Sequence, residues 1–293
     1  MKHVLTIILF SCLLSSCASA PQANPAAVKV QATDNFADVD LLVAQKIQQY
    51  SNKQVLVVVD IDNTLLTTAG DLGGDIWYQW QRGELDIKPT AQQTVSCLFE
   101  DNIALLYELA PMVVTETGVP TYVRDWQQQG LTVFALTSRS PKVRAATERE
   151  LARAGIDFSQ SALSAQGKPV PLLREKLSRE MSYMQGVMMT SGMNKGEMLG
   201  YLLDNTQRQF DAIIFVDDSE KNVHNLYNYF TAKSNLDMTI FHYTRIENHR
   251  KAAHGGVLTQ NQAEKMAEQW QQLSATLQQI FPARKQAGCL SPN

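Results

Sequence analysis

The amino-acid sequence predicts an α/β fold in which helices cover both faces of a parallel sheet. Short apolar segments alternate with segments of helical pattern along most of the chain. The apolar segments are hydrophobic at consecutive positions, which is typical of parallel strands that are buried on both faces. Alternating strands and helices favour a three-layer, doubly wound sheet. The predicted strands are Val55–Val59, Leu131–Leu136, Gly186–Met189, Ala212–Val216 and Met238–Phe241.

Helical patterns occupy most of the intervals between these strands. An opening helix begins at about Ala37, and a last helix spans residues 260–280 with apolar residues at spacings of three and four. That spacing would also suit a coiled-coil seam, but packing of the last helix on the sheet is the more ordinary arrangement. The helices predicted between them are Pro120–Gln129, Pro141–Ala154, Leu172–Arg179, Asn194–Leu203 and Glu220–Phe230.

The interval after the first predicted strand is too long for a single crossover helix. Residues 67–119 contain the sequence GDLGGD, predicted to be a flexible Gly-rich turn, and three neighbouring aromatic residues, Trp77, Tyr78 and Trp80. We expect a small, mainly helical cap insertion over the sheet. The aromatic residues could stack on a substrate ring, but an aromatic cluster is more often part of a core.

The N-terminus has the pattern of an export signal. Lys2 and His3 precede an apolar run that ends at Leu14, which is too short to span a bilayer as a mature helix. The sequence LSSC resembles the lipobox of bacterial lipoproteins, and this implies cleavage before Cys17 and lipidation of Cys17. An ordinary signal cut after Ala20 is the alternative. Ala18 favours an outer-membrane anchor, with the protein facing the periplasm.

The predicted domain organisation follows from these features. Residues 1–17 form the signal peptide, residues 18–36 a flexible tether rich in Ala, Pro and Gln, and residues 37–293 the folded domain with a core at about 54–243. The formal net charge is −3 and no Lys/Arg cluster is present, so nucleic acid is not expected as a partner.

The remaining cysteines, Cys97 and Cys289, are far apart in the sequence. An oxidising compartment would permit a disulfide, but the spacing offers no geometric support, and two unpaired thiols are expected. Neither the cysteines nor the histidines have the spacing of zinc ligands.

Polar residues gather where the predicted strands end. In an open α/β sheet, ligands bind at the carboxyl ends of the strands, so these side chains are expected to line one cleft. They are Asp60 and Asp62 after the first strand, Thr137 and Ser138 after the second, Lys195 at the start of the third crossover helix, and Asp217 and Asp218 after the fourth strand.

This set of side chains suits phosphoryl transfer. Several carboxylates at one edge repel each other unless a hard cation lies among them, and Mg²⁺ prefers such oxygen ligands. A lysine and the metal offset charge on phosphoryl oxygens, and a threonine hydroxyl donates a hydrogen bond to one of them. One aspartate can attack phosphorus while another protonates the leaving group and later deprotonates water.

Four stretches, DIDNT, LTS, NKG and FVDDSEKN, resemble the four motifs of the haloacid dehalogenase (HAD) superfamily in order and spacing. The resemblance covers residues 54–243 and implies a HAD-like core with a Rossmann-type sheet. It also implies that Asp60 is the nucleophile and Asp62 the general acid/base. The second acid resembles the phosphatase branch, because the dehalogenases lack it.

The resemblance further implies a ligand set. The implied phosphate-binding residues are Thr137 and Lys195. Ser138, which follows Thr137, is a further candidate for phosphate binding, and Ser138 and Arg139 could touch substrate, although such residues more often belong only to the loop. The implied Mg²⁺ ligands are Asp60, the backbone carbonyl of Asp62, Asp218 and, in a supporting position, Asp217. Taken singly, each residue could have an ordinary structural role, such as capping a helix, bonding locally or remaining solvated.

The sequence therefore predicts a magnesium-dependent phosphomonoester hydrolase of the bacterial envelope, acting through an aspartyl-phosphate on a small phosphorylated substrate or a phosphoprotein. The whole chain also resembles a family of HAD-like bacterial lipoproteins described only as a domain of unknown function. Two alternatives remain open. One is a catalytically idle lipoprotein that binds a phosphorylated ligand or protein partner, and the other is a phosphotransferase.

Overall fold

A computed structural model describes residues 27–233, 236–282 and 289. The strands are β1 (Val28–Thr33), β2 (Val55–Val59), β3 (Leu66–Thr68), β4 (Met112–Val114), β5 (Thr132–Thr137), β6 (Leu173–Lys176), β7 (Glu180–Met184), β8 (Val187–Met189), β9 (Ala212–Asp217) and β10 (Asp237–Tyr243). The helices are α1 (Phe36–Tyr50), α2 (Asp75–Gln81), α3 (Ile103–Leu109), α4 (Val119–Gln128), α5 (Arg144–Arg153), α6 (Lys195–Thr206), α7 (Glu220–Thr231), α8 (Arg245–His254) and α9 (Gln260–Ile280).

The central sheet is mostly parallel. Its eight strands follow the order β1-β10-β9-β2-β5-β8-β7-β6, and only the β6–β7 and β7–β8 pairs are antiparallel. From β2 the chain passes outward through β5 to β8 and then returns to β9 on the other side of β2. This reversal makes the sheet doubly wound and confirms the predicted α/β fold class. It also creates a switch point between β2 and β9, where such sheets bind ligands.

Strand β2 is apolar at every position because helices pack on both of its faces. Val55, Val57 and Val59 belong to a core that includes α1, α4 and α5, whereas Leu56 and Val58 belong to a core that includes α6 and α7. All five side chains are fully buried. Alternate side chains of a strand point to opposite faces, so a strand between two helical layers needs apolar residues throughout.

Between β2 and α4 the chain forms an insertion that we call the cap, residues 66–114. It contains α2, α3 and a two-stranded antiparallel sheet of β3 and β4. Its GDLGGD segment is a turn, and two of the three glycines in it lie close to neighbouring segments. A Cβ on Gly73 would lie 2.8 Å from Leu106 Cβ, and one on Gly74 would overlap the Thr68 hydroxyl. Glycine is required there because neighbouring segments pack closely.

Helix α9 packs on the cap, and the prediction that it packs on the sheet was wrong. Met266 and Ala267 share a buried cluster with Trp77 and Trp80, and both tryptophans are fully buried. The ring of Trp270 lies 6.0 Å from that of Trp77. The two cap tryptophans are thus core residues that cannot stack on a substrate.

A disulfide joins Cys97 of the cap to Cys289, with their Cα atoms 5.3 Å apart. The expectation of unpaired thiols was wrong because residues 192 positions apart in sequence are brought together by the packing of α9 on the cap. Sequence separation alone says nothing of such proximity.

Two other expectations were also wrong. The helix predicted at Leu172–Arg179 is instead strand β6 and the turn into β7, because β7 adds to β8 and its Met181 and Tyr183 are buried. The tether predicted to reach Phe36 already forms β1 at Val28, where it pairs with β10. The signal segment 1–17, with Cys17, lies outside the described residues. Among the helices that are described, none is long and apolar enough to cross a membrane.

Candidate active site

The candidate site lies at the switch point, where β2 and β9 end side by side. Val59 pairs with Val216, and the next residue, Asp60, donates its backbone N–H to the Val216 carbonyl over 2.9 Å. Asp217, the last residue of β9, therefore lies beside Asp60. Both side chains are almost completely buried, with relative exposures of 4% for Asp60 and 0% for Asp217.

Lys195 bridges these two carboxylates. Its Nζ lies 2.7 Å from Asp60 Oδ1 and 2.6 Å from Asp217 Oδ2, and the residue is fully buried. Burial alone would lower the pKa of the lysine, but the charges of Asp217 and Asp60 raise it above its ordinary value. Lys195 therefore carries a positive charge in the site.

The start of α6 places Lys195 in the site. The Asn194 side chain accepts hydrogen bonds from the backbone N–H groups of Gly196 and Glu197, and this capping begins the helix at Lys195. A Cβ on Gly196 would lie 2.6 Å from the Asn225 carbonyl of α7. The glycine that follows the lysine therefore lets α6 approach α7 closely.

Asp217 is held by three neighbours. Its Oδ1 accepts hydrogen bonds from the Ser219 backbone N–H (2.9 Å) and from Asn222 Nδ2 (3.0 Å), and its Oδ2 accepts one from Lys195. Asn222, in the first turn of α7, thus fixes the orientation of Asp217. With both oxygens bound, Asp217 has less capacity for a metal than its neighbour Asp218.

The donor set fits a divalent cation. Asp60, Asp217 and Asp218 each offer one carboxylate oxygen, and the three oxygens lie within 4.8 Å of one another. Asp60 Oδ1 is buried, and Lys195 is its only polar partner among the described residues. Oxygen-only ligands suit Mg²⁺, so the donor set of three carboxylates fits this ion.

The same burial changes the titration of the carboxyl groups. Burial raises the pKa of Asp60 to about 8. The charge of Lys195 opposes this rise, and the charges of Asp217 and Asp62 add to it. Burial and then the charge of Asp75 raise the pKa of Asp218 well above its ordinary value. In the absence of a cation, the site therefore holds protons at neutral pH.

Thr137, the last residue of β5, and Ser138, which follows it, lie on the other side of β2 and differ in exposure. The Thr137 hydroxyl is buried and accepts a hydrogen bond from the Arg139 backbone N–H over 3.1 Å, which leaves its own proton available to a ligand. Ser138 is exposed. The loop is tied to the next strand because Thr190 donates two hydrogen bonds to the Thr137 carbonyl.

Asp62 is bound by Arg139, which was not among the site residues predicted from the sequence. Arg139 Nε and Nη2 donate to the two oxygens of Asp62 over 2.8 and 2.7 Å, a bidentate ion pair. The Asp62 side chain is 20% exposed, whereas that of Arg139 is 1% exposed. The sequence signal was the position of Arg139 two residues beyond the strand end, where loop residues often reach the cleft.

Arg139 also connects the site to the cap. Its guanidinium carbon lies 4.2 Å from the centre of the Tyr107 ring, and its Nη2 contacts Met112 Sδ at 2.9 Å. Its Nη1 donates to the Thr147 hydroxyl of α5 over 2.9 Å. Arg139 is thus fixed on all sides, and the ion pair with Asp62 is part of a continuous network.

A further carboxylate, Asp75, comes from the cap. Its Oδ2 accepts hydrogen bonds from Asn63 Nδ2 (3.0 Å) and Gln79 Nε2 (2.5 Å). Burial and then the charge of Asp62 raise the pKa of Asp75 to about 7. The sequence signal was only an acid at the start of a helix, which ordinarily serves the helix dipole.

The chain is similar in sequence to proteins of chlamydiae. Two of them, from Chlamydia trachomatis serovar D and Chlamydia muridarum, are each described as "Putative outer membrane protein". Both are 22% identical over 175 residues, which cover 59% of this chain and 63% of the relative. The chain therefore spans less than two thirds of the length of these relatives.

Among solved structures, the chain is similar to a class C acid phosphatase from Bacillus anthracis with tungstate bound. The sequence identity is 12%, the TM-score is 0.41, and the alignment covers 80% of this chain and 86% of the phosphatase. The family model described as "Protein of unknown function (DUF2608)" matches residues 32–282. Because this match covers most of the length of the chain, the chain belongs to the DUF2608 family.

Proposed function

We propose that the chain is a phosphomonoester hydrolase that forms an aspartyl-phosphate on Asp60. The observation that carries the proposal is the fully buried Lys195, which contacts both Asp60 and Asp217 at the switch point of the sheet. Burial of a lysine and two acids in ion pairs costs desolvation energy, which a structural role alone seldom recovers. Such groups are concentrated at functional sites.

The chain's own residues support a two-step displacement. A carboxylate oxygen of Asp60 attacks phosphorus, and the bond from phosphorus to the leaving oxygen breaks as Asp62 gives that oxygen a proton. Asp62 then takes a proton from water, whose oxygen attacks phosphorus and breaks the bond to Asp60, releasing inorganic phosphate. Lys195 and the Thr137 hydroxyl bind phosphoryl oxygens in both steps.

Asp60, Asp218 and Asp217 would hold Mg²⁺ in this proposal. The ion would offset negative charge on the phosphoryl oxygens when bound. Ser138, which is exposed beside Thr137, would bind the outer part of the phosphate. The substrate class proposed is a small phosphate ester, with a phosphoprotein as the alternative.

The experiment is a phosphate-release assay with phenyl phosphate. We expect wild-type protein to release phosphate with Mg²⁺ and to lose that activity in a chelator. The Asp60→Asn variant should lose at least ~10³-fold in kcat, because its side chain is no longer a nucleophile. Asp86→Asn, which removes a similar charge from an exposed cap position, should keep wild-type activity. Full activity in Asp60→Asn would refute the nucleophile assignment.

We further propose that the chain acts in the bacterial envelope through a lipid on Cys17. The export-signal pattern before Cys17 and the names of the chlamydial relatives support this location. Expression of the full chain with Cys17→Ala tests it, and we expect the variant to leave the membrane fraction. If the variant stayed in that fraction to the same extent, the anchor would lie elsewhere.

A further inference from the structure

The cap places one carboxylate against the motif that carries Asp62. Asp75 is the first residue of α2, and its Oδ2 accepts hydrogen bonds from Asn63 and Gln79. Asn63 directly follows Asp62 and has a left-handed backbone, with φ of 52°. The Thr67 hydroxyl donates to Asn63 Oδ1 over 2.9 Å and so orients the Asn63 amide towards Asp75.

The second oxygen of Asp75, Oδ1, has no hydrogen-bond partner among the described residues. Both hydrogen bonds that reach this carboxylate from the described residues go to Oδ2, and the residue is only partly buried. Asn63, which donates to Asp75 over 3.0 Å, directly follows Asp62, so the Asp75 carboxylate lies beside the motif that carries Asp62.

The position of Asp75 in the cap determines which part of the substrate it can contact. The proposed phosphate ligands, Thr137 and Lys195, lie at the edge of the sheet, whereas Asp75 belongs to the cap. In-line attack by Asp60 places the leaving oxygen on the opposite side of phosphorus, away from the sheet. When ionised, Asp75 is not suited to bind phosphate, because carboxylate and phosphate oxygens are both hydrogen-bond acceptors.

We propose that Asp75 accepts a hydrogen bond from a hydroxyl of the leaving group, and that the substrates are phosphate esters of hydroxylated alcohols, such as sugars or polyols. This inference rests on the proposed function and deepens it. A leaving group without hydroxyls would leave the carboxylate oxygen unpaired, and sites built for a hydroxyl reject analogues that lack it.

The nearby aromatic rings do not favour an aryl leaving group. Tyr78, one turn after Asp75, has its ring 6.0 Å from that of Phe99 in an edge-on arrangement. The Arg82 guanidinium lies 5.7 Å from the centre of each ring and is paired with Glu84. Side chains of the cap already contact these two rings. Asp75 Oδ1, in contrast, has no hydrogen-bonding partner among the described residues.

The test compares two esters that differ only in their hydroxyls, glycerol 3-phosphate and propyl phosphate. We expect the wild type to have a kcat/KM at least ~10-fold higher for glycerol 3-phosphate. Asp75→Ala and Asp75→Asn should lower the ratio of the two values at least ~10-fold, whereas Asp86→Asn should leave it unchanged. Each ratio is measured with one protein. A partial loss of folded protein in an Asp75 variant therefore lowers both kcat/KM values by the same factor and leaves their ratio unchanged.

Two outcomes would overturn the inference. One is a wild-type ratio near one, and the other is an equal loss for both esters in the Asp75 variants. If the wild type hydrolyses no ester, including phenyl phosphate, the proposed function fails. Calorimetric binding of the same two esters to the Asp60→Asn protein then decides the inference separately. Tighter binding of glycerol 3-phosphate that is lost in Asp60→Asn/Asp75→Ala supports it, and equal binding of the two esters refutes it.

Discussion

The two acids of the DIDNT motif have opposite environments. Asp60 is buried against Lys195, whereas Asp62 is partly exposed and has both oxygens bound to Arg139. We infer that Arg139 is a positioning residue that holds Asp62 in place.

Replacement of Arg139 by lysine tests this role. A lysine keeps the charge but cannot form the bidentate pair, so Asp62 should lose its fixed orientation. We expect kcat to fall roughly 10- to 100-fold, part of the contribution of a general acid. The loss should be greater for propyl phosphate than for phenyl phosphate, because alkoxide leaving groups need the proton more.

The control is Arg149→Lys on α5, whose side chain is partly exposed and binds Glu108 and Glu150. The activity of the Arg149→Lys variant should match that of the wild type. An equal loss with both esters in Arg139→Lys would indicate a merely structural role for Arg139.

The raised pKa of Asp60 predicts how stability depends on pH without a cation. An unfolded aspartate has a pKa near 3.9, and that of native Asp60 is about 8. Between these values the native protein holds a proton that the unfolded chain has lost. The contribution of Asp60 to the free energy of unfolding is therefore fully present below about pH 4 and is lost as the pH rises through 8.

The measurement is the melting temperature in a chelator at pH 5 and pH 8. We expect a lower value at pH 8, with roughly 2–4 °C lost per kcal/mol of stability in a domain of this size. Asp60→Asn should weaken the decline. Mg²⁺ should raise the melting temperature more at pH 8 than at pH 5, because protons compete with it. A uniform Mg²⁺ effect at both pH values would contradict the proposed ligands.

Secondary-structure elements were predictable from sequence where one local pattern decided them. Strand β2 has the predicted bounds, Val55–Val59, because a short, continuous run of β-branched and other apolar residues strongly favours a buried strand. Helix α9 also has the predicted bounds, 260–280, and begins with a capping box at Thr259 and Gln262. The strand ends then placed Asp60 and Asp217 side by side, as the predicted parallel sheet required.

Elements that depend on distant partners were not predictable in this way. Strand β1 is mostly exposed and is a strand because β10 offers it a free edge. The hairpin of β6 and β7 exists because β7 pairs with β8. Asp75 and Arg139 entered the site through side-chain contacts with Asn63 and Asp62, and no sequence spacing specifies such contacts.

The disulfide between Cys97 and Cys289 ties the cap to the chain beyond α9, and its removal tests how much the cap depends on it. We expect Cys97→Ala/Cys289→Ala to lose roughly 2–4 kcal/mol of stability, because the bond closes a long loop in the unfolded chain. A reducing agent should lower the melting temperature of the wild type to that of the double variant and leave the variant unchanged. No change in either protein would mean that the bond contributes nothing to stability.

Taken together, the contacts of the cap argue against a mobile lid. Arg139 contacts Tyr107 and Met112 of the cap, and Glu150 of α5 accepts a hydrogen bond from the Met112 backbone over 2.9 Å. Asp71 of the cap forms an ion pair with Arg250 of α8 at 2.7 Å. A segment held to the body at several buried points opens only at a large cost in free energy. Asp75 is thus a fixed part of the site.

The folded unit also begins earlier than the predicted residue 37. Strand β1 pairs along its length with β10, and the Thr33 carbonyl accepts a hydrogen bond from the Thr244 backbone over 2.8 Å. Asn35 caps α1, and Phe36 is fully buried against Trp126 and Tyr243. Residues 28–33 are therefore part of the sheet and do not belong to a tether.

Chains that start at different residues test this boundary. A chain that starts at Ala27 keeps β1, whereas one that starts at Asn35 keeps the α1 cap and Phe36 but leaves the edge of β10 unpaired. We expect the first to melt at the temperature of a chain that starts at Ala18, and the second to melt several degrees lower. The second should also aggregate more, because β10 would present a long apolar edge for pairing with other chains. Equal melting temperatures for all three chains would show that β1 adds nothing to the stability of the sheet.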